Sequence, residues 1–435
     1  MVAFDNHTYP PGPELAMELE AGDDCLENIT RFFHQFGDIY KVYSAQRKSY
    51  TYVLNDPEMI RHVMITNNRN YIKGVGIDRV KILLGNGIMA SEGEYWKRQR
   101  RMIQPAFHRK VIERLSSAII TANQQMLKDW EHKAGTSKLI NLTAELSKVT
   151  LRIVLQALFS ADLTTLQQQP GSTPFDMLTE EHQRDLTFAM RFRSLASTIR
   201  GIMQQRRDEN RTEEDFLSMM LSARDPETGE GMTDREIVDE IMTLIVAGHE
   251  TTASALNWTW YLLYTHPEVY NKLRMEVAAL GNVTPGFRHL PQLSFVKQVI
   301  DETMRLYPPG WLLTRRCVTD DKIGPYHVPA GTDLFISPYV MHRHPEYWNE
   351  PAAFKPERFS HPQQKDRRRF EYFPFGGGPR QCIGDYFAQV EMQLHLAIVT
   401  QQFDLQLVLP ERITMEAQIN LRARQPFYSF LSLKK

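Results

Sequence analysis

The chain is 435 residues long, 42% apolar and 24% charged, with a formal net charge of −1. That balance belongs to a globular enzyme and excludes a global field that gathers nucleic acid or an anionic membrane, so any electrostatic docking has to use a local patch. Three scattered cysteines, Cys25, Cys317 and Cys382, exclude a disulfide framework and a CxxC zinc ribbon, and fit a reducing compartment.

Taken in chain order, the N-terminus MVAFDNHTYPPGPELAMELEAGDD carries early acidic residues and no long apolar core, and no later apolar run is long enough to span a bilayer. A cytoplasmic protein without a transmembrane anchor is expected, with residues 1–20 as a loosely ordered extension. Residues 48–56, KSYTYVLND, alternate and are rich in β-branched and aromatic side chains, which predicts a strand. From about residue 56 to 280 most segments read as helices, interrupted by loops at 167–174 and 225–232. In EGEYWKRQRRMIQPAFH, Trp96 and Arg100 are i,i+4 neighbours, and Lys97 and Arg101 form a second row about 100° away. The spacing fits a solvated basic face; it equally fits Trp96 and Arg100 turned inward onto an anion, with Lys97, Arg98 and Arg101 outside.

Residues 233–265 make the clearest helix. Thr233 is an N-cap, Glu236 completes a capping box, and apolar periodicity continues until His266-Pro267 stops it. At ~1.5 Å per residue this helix is ~50 Å long. Its middle, AGHETT (247–252), is poor helix chemistry, since a glycine costs ~1 kcal/mol against alanine and paired threonines crowd the backbone. Two readings stand side by side. Gly248 is a notch that admits a neighbouring helix, or the small residues form a groove for a flat ligand. In the second reading Gly248 shares a face with Thr252 and Ala247 with Thr251, and Glu250 and Thr252 supply an acid and a hydroxyl. His249 reads as a packing residue.

The segment FVKQVIDETMRLYPP predicts a helix ended by Pro308 and Pro309. Glu302 and Arg305 share one of its faces. They form a surface pair or, given flanking Phe295, Val299, Ile300 and Leu306, part of a buried ion network that Arg358 of PERF joins. Short strands follow in IGPYHVPAGTDLFI. FPFGGGPRQCIGDYFA then sets three glycines and an arginine before Cys382 and a helical pattern after it. Just ahead of it stands KDRRRF, with Lys365, Arg367, Arg368 and Arg369. No linker separates halves, so a single domain over 1–435 is expected, mainly α with a minor β part.

Together these pieces resemble the cytochrome P450 superfamily, in its soluble bacterial type. FPFGGGPRQCIG is similar to the family's cysteine-ligand loop at Phe375, Gly378, Arg380, Cys382 and Gly384. AGHETT resembles its oxygen-activating helix motif, ETMR its Glu-x-x-Arg, PERF its meander arginine and WKRQR its tryptophan–arginine helix, all in the family's order over residues 96–391. The resemblance implies a triangular-prism fold and haem b held by the Cys382 thiolate. It implies cofactor contacts from Trp96, Arg100, Ala247, Gly248, Arg315, Phe375, Gly376, Arg380, Ile383, Gly384 and Ala388. Among them Arg380, Trp96, Arg100 and Arg315, chosen over Arg316, pair propionates, which suit arginine's fork. Thr252 and Glu250 deliver protons to bound dioxygen, and Glu302, Arg305 and Arg358 lock the core near the cysteine loop.

The implied function is a monooxygenase that inserts one atom of O2 into an apolar organic molecule by hydroxylation or epoxidation. Electrons come from NAD(P)H through separate redox proteins, because no flavin or iron–sulfur module is fused. Lys97, Arg98, Arg101, Arg368 and Arg369 are the expected docking patch on a monomer for an acidic ferredoxin or flavodoxin. The family's substrate-contact zones fall at residues 72–95, at 188–203 and at the LLT after Trp311, and their apolar content implies an apolar pocket. A long-chain fatty acid or other lipid-like molecule is the expected substrate. A terpenoid, steroid or secondary-metabolite intermediate is the alternative. From other classes stand a non-catalytic haem-thiolate sensor and a helical protein with a merely buried cysteine.

Overall fold

The computed structural model describes residues 8–135, 138–163, 175, 177–180, 186–360 and 367–434; the expected loop at 167–174 and Lys365 lie outside these described residues. The longer helices are α1 (Asp23–Phe36), α2 (Ile77–Leu84), α3 (Gly93–Ile103), α4 (Arg109–Glu131), α5 (Leu142–Phe159), α6 (Leu186–Asp208), α7 (Phe216–Ser222), α8 (Asp234–Thr265), α9 (Pro267–Ala278), α10 (Ser294–Leu306) and α11 (Asp385–Gln402). Among the described residues no helix is long and apolar enough to cross a membrane. The chain packs as two compact units, each assembled from three separate stretches.

One unit comprises Met1–Ile77, Asp301–Cys382 and Thr414–Arg424. It holds β1 (Ile39–Ser44), β2 (Ser49–Leu54), β3 (Tyr71–Lys73), β5 (Leu313–Cys317) and β8 (Asp333–Ile336) in one sheet, ordered β1-β2-β8-β5-β3. The β2–β8 pair is parallel and the others are antiparallel; the unit also holds two hairpins, β6 (Asp321–Ile323) with β7 (Tyr326–Val328) and β10 (Met415–Ala417) with β11 (Leu421–Ala423). Period-2 alternation explains its two buried faces. Tyr52, Leu54, Leu334 and Ile336 point into one core with Phe370 and Phe373. Val53 and Phe335 point into the other, against Phe32 and Phe33 of α1. Residues 8–17 are tied here rather than loose. Thr8 O accepts from the His327 N–H at 2.8 Å, Pro11 O accepts from the Lys41 N–H at 2.8 Å, and the Met17 N–H donates to Tyr43 O at 2.9 Å. The expectation of a loose extension is corrected for residues 8–20, because their backbone groups find partners along β1 and the 326–328 strand.

The other unit comprises Asp78–Ile300, Ile383–Ile413 and Gln425–Lys435. Its axis is α8, capped as the sequence predicts: the Thr233 side chain accepts from the Glu236 N–H, and the Glu236 carboxylate accepts from the Thr233 N–H. α8 is buried around most of its circumference, as expected of a helix that neighbours surround on several sides. A three-stranded sheet, β4 (Ile140–Asn141), β12 (Tyr428–Leu433) and β9 (Phe403–Val408), closes one end of this unit's chain path. On β9, Phe403, Leu405 and Leu407 face in while Asp404, Gln406 and Val408 alternate outward. Buried polar links tie the helices together. The Trp260 indole N–H donates to His395 Nε2 at 3.2 Å, and His395 Nδ1 lies 2.7 Å from Asn123 Oδ1.

Candidate active site

In the first unit the chain before Cys382 is shaped by three glycines. Gly376 and Gly378 have φ of +70° and +69°, the left-handed region where a side chain is strained. A Cβ on Gly378 would also run into Met64 O, and one on Gly377 into the Phe370 ring. The loop turns on Gln381 N–H to Gly378 O (3.1 Å) and on Cys382 N–H to Phe375 O (2.9 Å). Two residues on, Gly384 is the N-cap of α11, and a helix start is an end that favours an anion.

The three cysteines separate cleanly. Cys25 and Cys317 are buried, and burial pushes their thiols up to about 12 and about 11. Cys382 is exposed. Among the described residues no group of three or more His, Cys, Asp or Glu is placed to hold a metal ion. A metal held by Cys382 therefore brings its other ligands with it, as a porphyrin does. The accessible thiol, the glycine turn and the helix end all fit that group.

Behind the loop the structure brings Glu302, Arg305 and Arg358 together. Glu302 and Arg305 are both fully buried and paired twice, at 2.7 and 2.8 Å. Arg305 also donates to the carbonyls of His342, Pro351 and Ala353 at 2.8–2.9 Å. Arg358 pairs with Glu302 at 3.3 Å, and the Lys355 N–H donates to it at 2.9 Å. His342 carries the network onward, since its Nε2 accepts from the Phe373 N–H at the head of the cysteine loop (2.9 Å). Burial and the Arg305 guanidinium hold the His342 imidazole well below its ordinary range, so it stays a neutral acceptor.

The two strand arginines divide. Arg316 is committed to Asp333 by two contacts of 3.0 Å, whereas Arg315 donates to the Thr314 carbonyl.

In the second unit α8 sorts its central residues by face. A Cβ on Gly248 would stand 2.9 Å from Val154 Cγ2 of α5. The glycine is therefore a helix-packing notch, and its expected place on a ligand face is corrected. His249 is buried and its Nε2 lies 2.8 Å from Ser147 Oγ, a packing role as expected. Thr252, the expected relay alcohol, is only 3% exposed. Thr251, Glu250 and Ala247 are partly exposed, and the Thr251 hydroxyl donates to Ala247 O at 2.6 Å. An alcohol that hands protons to a ligand or water has to reach it, and the burial of Thr252 counts against its expected role.

On α3, Trp96 is buried and Arg100 partly exposed, its Nε donating to Gln104 Oε1 at 3.2 Å. The expected docking cations do not all remain available. Arg98 donates to Glu236 (2.8 Å) and Gly231 O (2.6 Å), and Arg101 meets Asp225 and Glu227 at 3.1 and 2.9 Å. Both are corrected to structural ion pairs, because a charge already matched at short range steers little at long range. Lys97 pairs with exposed Glu94, and Arg368 with Glu371, while both cations remain largely exposed. Arg369 is exposed beside Phe370. Arg367, by contrast, stacks on Trp348 and Phe359 at 4.6 and 4.4 Å. Phe375, Gly376, Arg380, Ile383, Gly384 and Ala388 are all partly exposed around the thiol's stretch of chain. Of the zone at 188–203, the Phe188 side chain lies outside the described residues.

Sequence reasoning missed a seam on α8. Asp239 accepts from the Asn86 N–H and Glu240 from the Ile88 N–H, each at 2.9 Å. The signal for it in the sequence is the GNG of residues 85–87, two glycines that let backbone approach a helix closely.

A sequence profile described as Cytochrome P450 matches residues 10–428. Among curated relatives, cyclooctatin synthase of Streptomyces melanosporofaciens is 32% identical, over 89% of this chain and 87% of its own. Pentalenene oxygenase of Streptomyces avermitilis is 32% identical over 89% and 86%. The carotene epsilon-monooxygenase of Arabidopsis thaliana chloroplasts is 27% identical over 93% and 81%. In structure, the chain is similar to the haem domain of cytochrome P450DA, with a TM-score of 0.86 and 23% identity over 99% of this chain and 98% of that one.

Proposed function

The chain belongs to the cytochrome P450 family, and on that premise we propose that it oxidises a terpenoid, adding one oxygen atom to an apolar ring skeleton. As a monooxygenase of this family it uses haem with a cysteine thiolate ligand, fed by redox partner proteins, and that group supplies the activation of O2. The observation that carries the substrate reading is the pair of relatives at 32% identity named for cyclooctatin and pentalenene, both terpenoids. The fatty acid expected from sequence finds no such support.

Within that reading the roles fall on residues already described. Cys382 would hold the haem iron as a thiolate, and the backbone N–H groups after it would stabilise its negative charge without neutralising it. By resemblance, the propionates would fall to Arg380 and Arg315 and to Arg100 and Trp96. Phe375 covers the sulfur. Thr251 holds a proton at its hydroxyl and Glu250 replenishes it, while Ala247 leaves room beside them. Lys97, Arg368 and Arg369 are the remaining cations for an acidic ferredoxin or flavodoxin, whose electron delivery then weakens as salt rises. We further take the chain as one domain, monomeric and cytoplasmic; the interleaving of its two units along the sequence supports the first of these.

A panel of cyclic terpene hydrocarbons and C12–C18 fatty acids, titrated against the haem-loaded protein, tests the substrate. Terpenes should shift the iron's spin state and yield oxygenated products. Fatty acids that shift it while every terpene leaves the spectrum still would overturn the reading. Thr251→Ala should divert reducing equivalents into peroxide at least about tenfold more than Thr252→Ala; the reverse order returns the role to Thr252.

A further inference from the structure

We propose that Asp239 and Glu240 are positioning residues: two adjacent carboxylates on α8 clamp the loop at residues 85–91 and thereby fix the size of ligand the site accepts. This rests on the P450 reading and concerns residues that reading leaves without a role.

The clamp is built from both sides. The loop offers alternate backbone N–H groups, Asn86 to Asp239 Oδ2 and Ile88 to Glu240 Oε2, each at 2.9 Å. Gly85 has φ +75° and closes α2 with its N–H on Lys81 O at 3.0 Å; a Cβ there would collide with the Asp239 carboxylate. A Cβ on Gly87 would collide with the Thr243 hydroxyl and stand 2.7 Å from Asp239 O. Both glycines thus let the backbone lie directly on α8. Beyond them the loop closes on itself, the N–H groups of Ala90 and Ser91 donating to Gly87 O at 2.8 and 2.9 Å.

The cost of the arrangement shows that it is not incidental. Glu240 is 1% exposed, and a carboxylate so buried is expensive unless charge-assisted hydrogen bonds hold it. Tyr95 faces the same acids, and after burial the charges of Glu236, Glu240 and Asp239 raise its hydroxyl. By contrast α2, which leads into the loop, buries only Leu84 and leaves Ile82 68% exposed. The segment is therefore held by its clamp rather than by its own core.

Position supplies the function. Glu240, Thr243, Ala247 and Thr251 are spaced at 0, 3, 7 and 11 along α8, which is one face of a helix. Thr243, where Gly87 rests, is ~12 Å along the axis from Thr251 at ~1.5 Å per residue. The side chains at and just after the clamp, Ile88 and Met89, are partly exposed, and in this proposal they are the ones that meet a ligand lying along that face. A loop fixed there is a wall of constant position. A released loop is a wall that yields or intrudes.

The test uses haem-loaded protein carrying Asp239→Ala, Glu240→Ala, Asp239→Asn, Glu240→Gln and, from the loop side, Gly87→Ala. Each is titrated with imidazole and with the bulky clotrimazole, read as the Soret shift, and each is digested with limiting trypsin, which has exposed targets at Arg79 and Lys81. Imidazole affinity should stay within about twofold throughout. Clotrimazole affinity should change at least about tenfold in both alanine variants and in Gly87→Ala, and return to within about threefold in the amide variants, which keep an acceptor oxygen. Cleavage at Arg79 and Lys81 should quicken in the same order. Equal changes for both azoles, or cleavage rates that match the parent in Gly87→Ala, would overturn the clamp. Should the parent show no azole shift at all, the haem reading fails, while the cleavage rates still decide whether the clamp exists.

Discussion

His395 lets the interior of the helical unit be interrogated with pH alone. Its Nε2 accepts the Trp260 indole N–H, so its proton sits on Nδ1, facing Asn123 Oδ1 at 2.7 Å. A second proton would set a donor against a donor, and burial already drives the imidazole down to about 3. In the unfolded chain the ring titrates near ~6.5. The folded value is depressed, so the contribution is complete above about 6.5 and is lost as pH falls toward 3. Between pH 7 and pH 5 the unfolded ring takes up a proton that the folded ring refuses, a loss of about 2 kcal/mol at 1.36 kcal/mol per pH unit. Across 435 residues that is about 2 °C in Tm, from an unfolding entropy of about 2.1 cal/mol/K per residue. His395→Gln keeps both hydrogen bonds, with its amide accepting from Trp260 and donating to Asn123, and removes the titration. Melts of parent and variant at pH 7 and pH 5, followed by far-UV circular dichroism, isolate the difference because every other group is shared. A variant that loses as much stability as the parent would refute the buried neutral imidazole.

Glu391 titrates in the opposite sense. It is fully buried, neither carboxyl oxygen has a hydrogen-bond partner among the described residues, and burial raises it well above the ordinary carboxyl range. Stability from such a group is present below about 4.5 and falls as pH rises. Glu391→Gln should therefore gain on the parent steadily from pH 4.5 to 7.5 in the same melts; a constant offset would show that the acid is solvated. Gly248→Ala should cost about 1–3 kcal/mol by overpacking against Val154. Adding Val154→Ala should recover part of that cost, and strict additivity in the double-mutant cycle would deny the contact.

What the sequence made legible was local. The capping box of α8, the proline stop of α10 and the glycine turn before Cys382 each depend on neighbours within a few residues, and each formed as read. The choice between Thr251 and Thr252 was not local. The two lie about 100° apart on a helix, and only the docking of α5, through Val154 and Ser147, decides which faces turn inward. The same holds for charge. Arg98 and Arg101 read as a solvated run, yet their partners Glu236 and Asp225 stand more than 120 residues away. Arg367 belonged to a basic cluster on paper and to an aromatic stack in space. Periodicity reports which residues share a face; it is silent on what that face meets.

The strand order β1-β2-β8-β5-β3 has a consequence during synthesis. The parallel partner of β2 emerges from the ribosome nearly 280 residues after it, a delay of tens of seconds at roughly 5–20 residues per second. Throughout that interval the β2 edge that β8 will cover stays bare, while the whole stretch from Asp78 to Ile300 is made. A nascent chain of this protein is thus a sticky object for most of its birth, and any chaperone that serves it has most to gain by covering the hairpin until residue 336 has emerged.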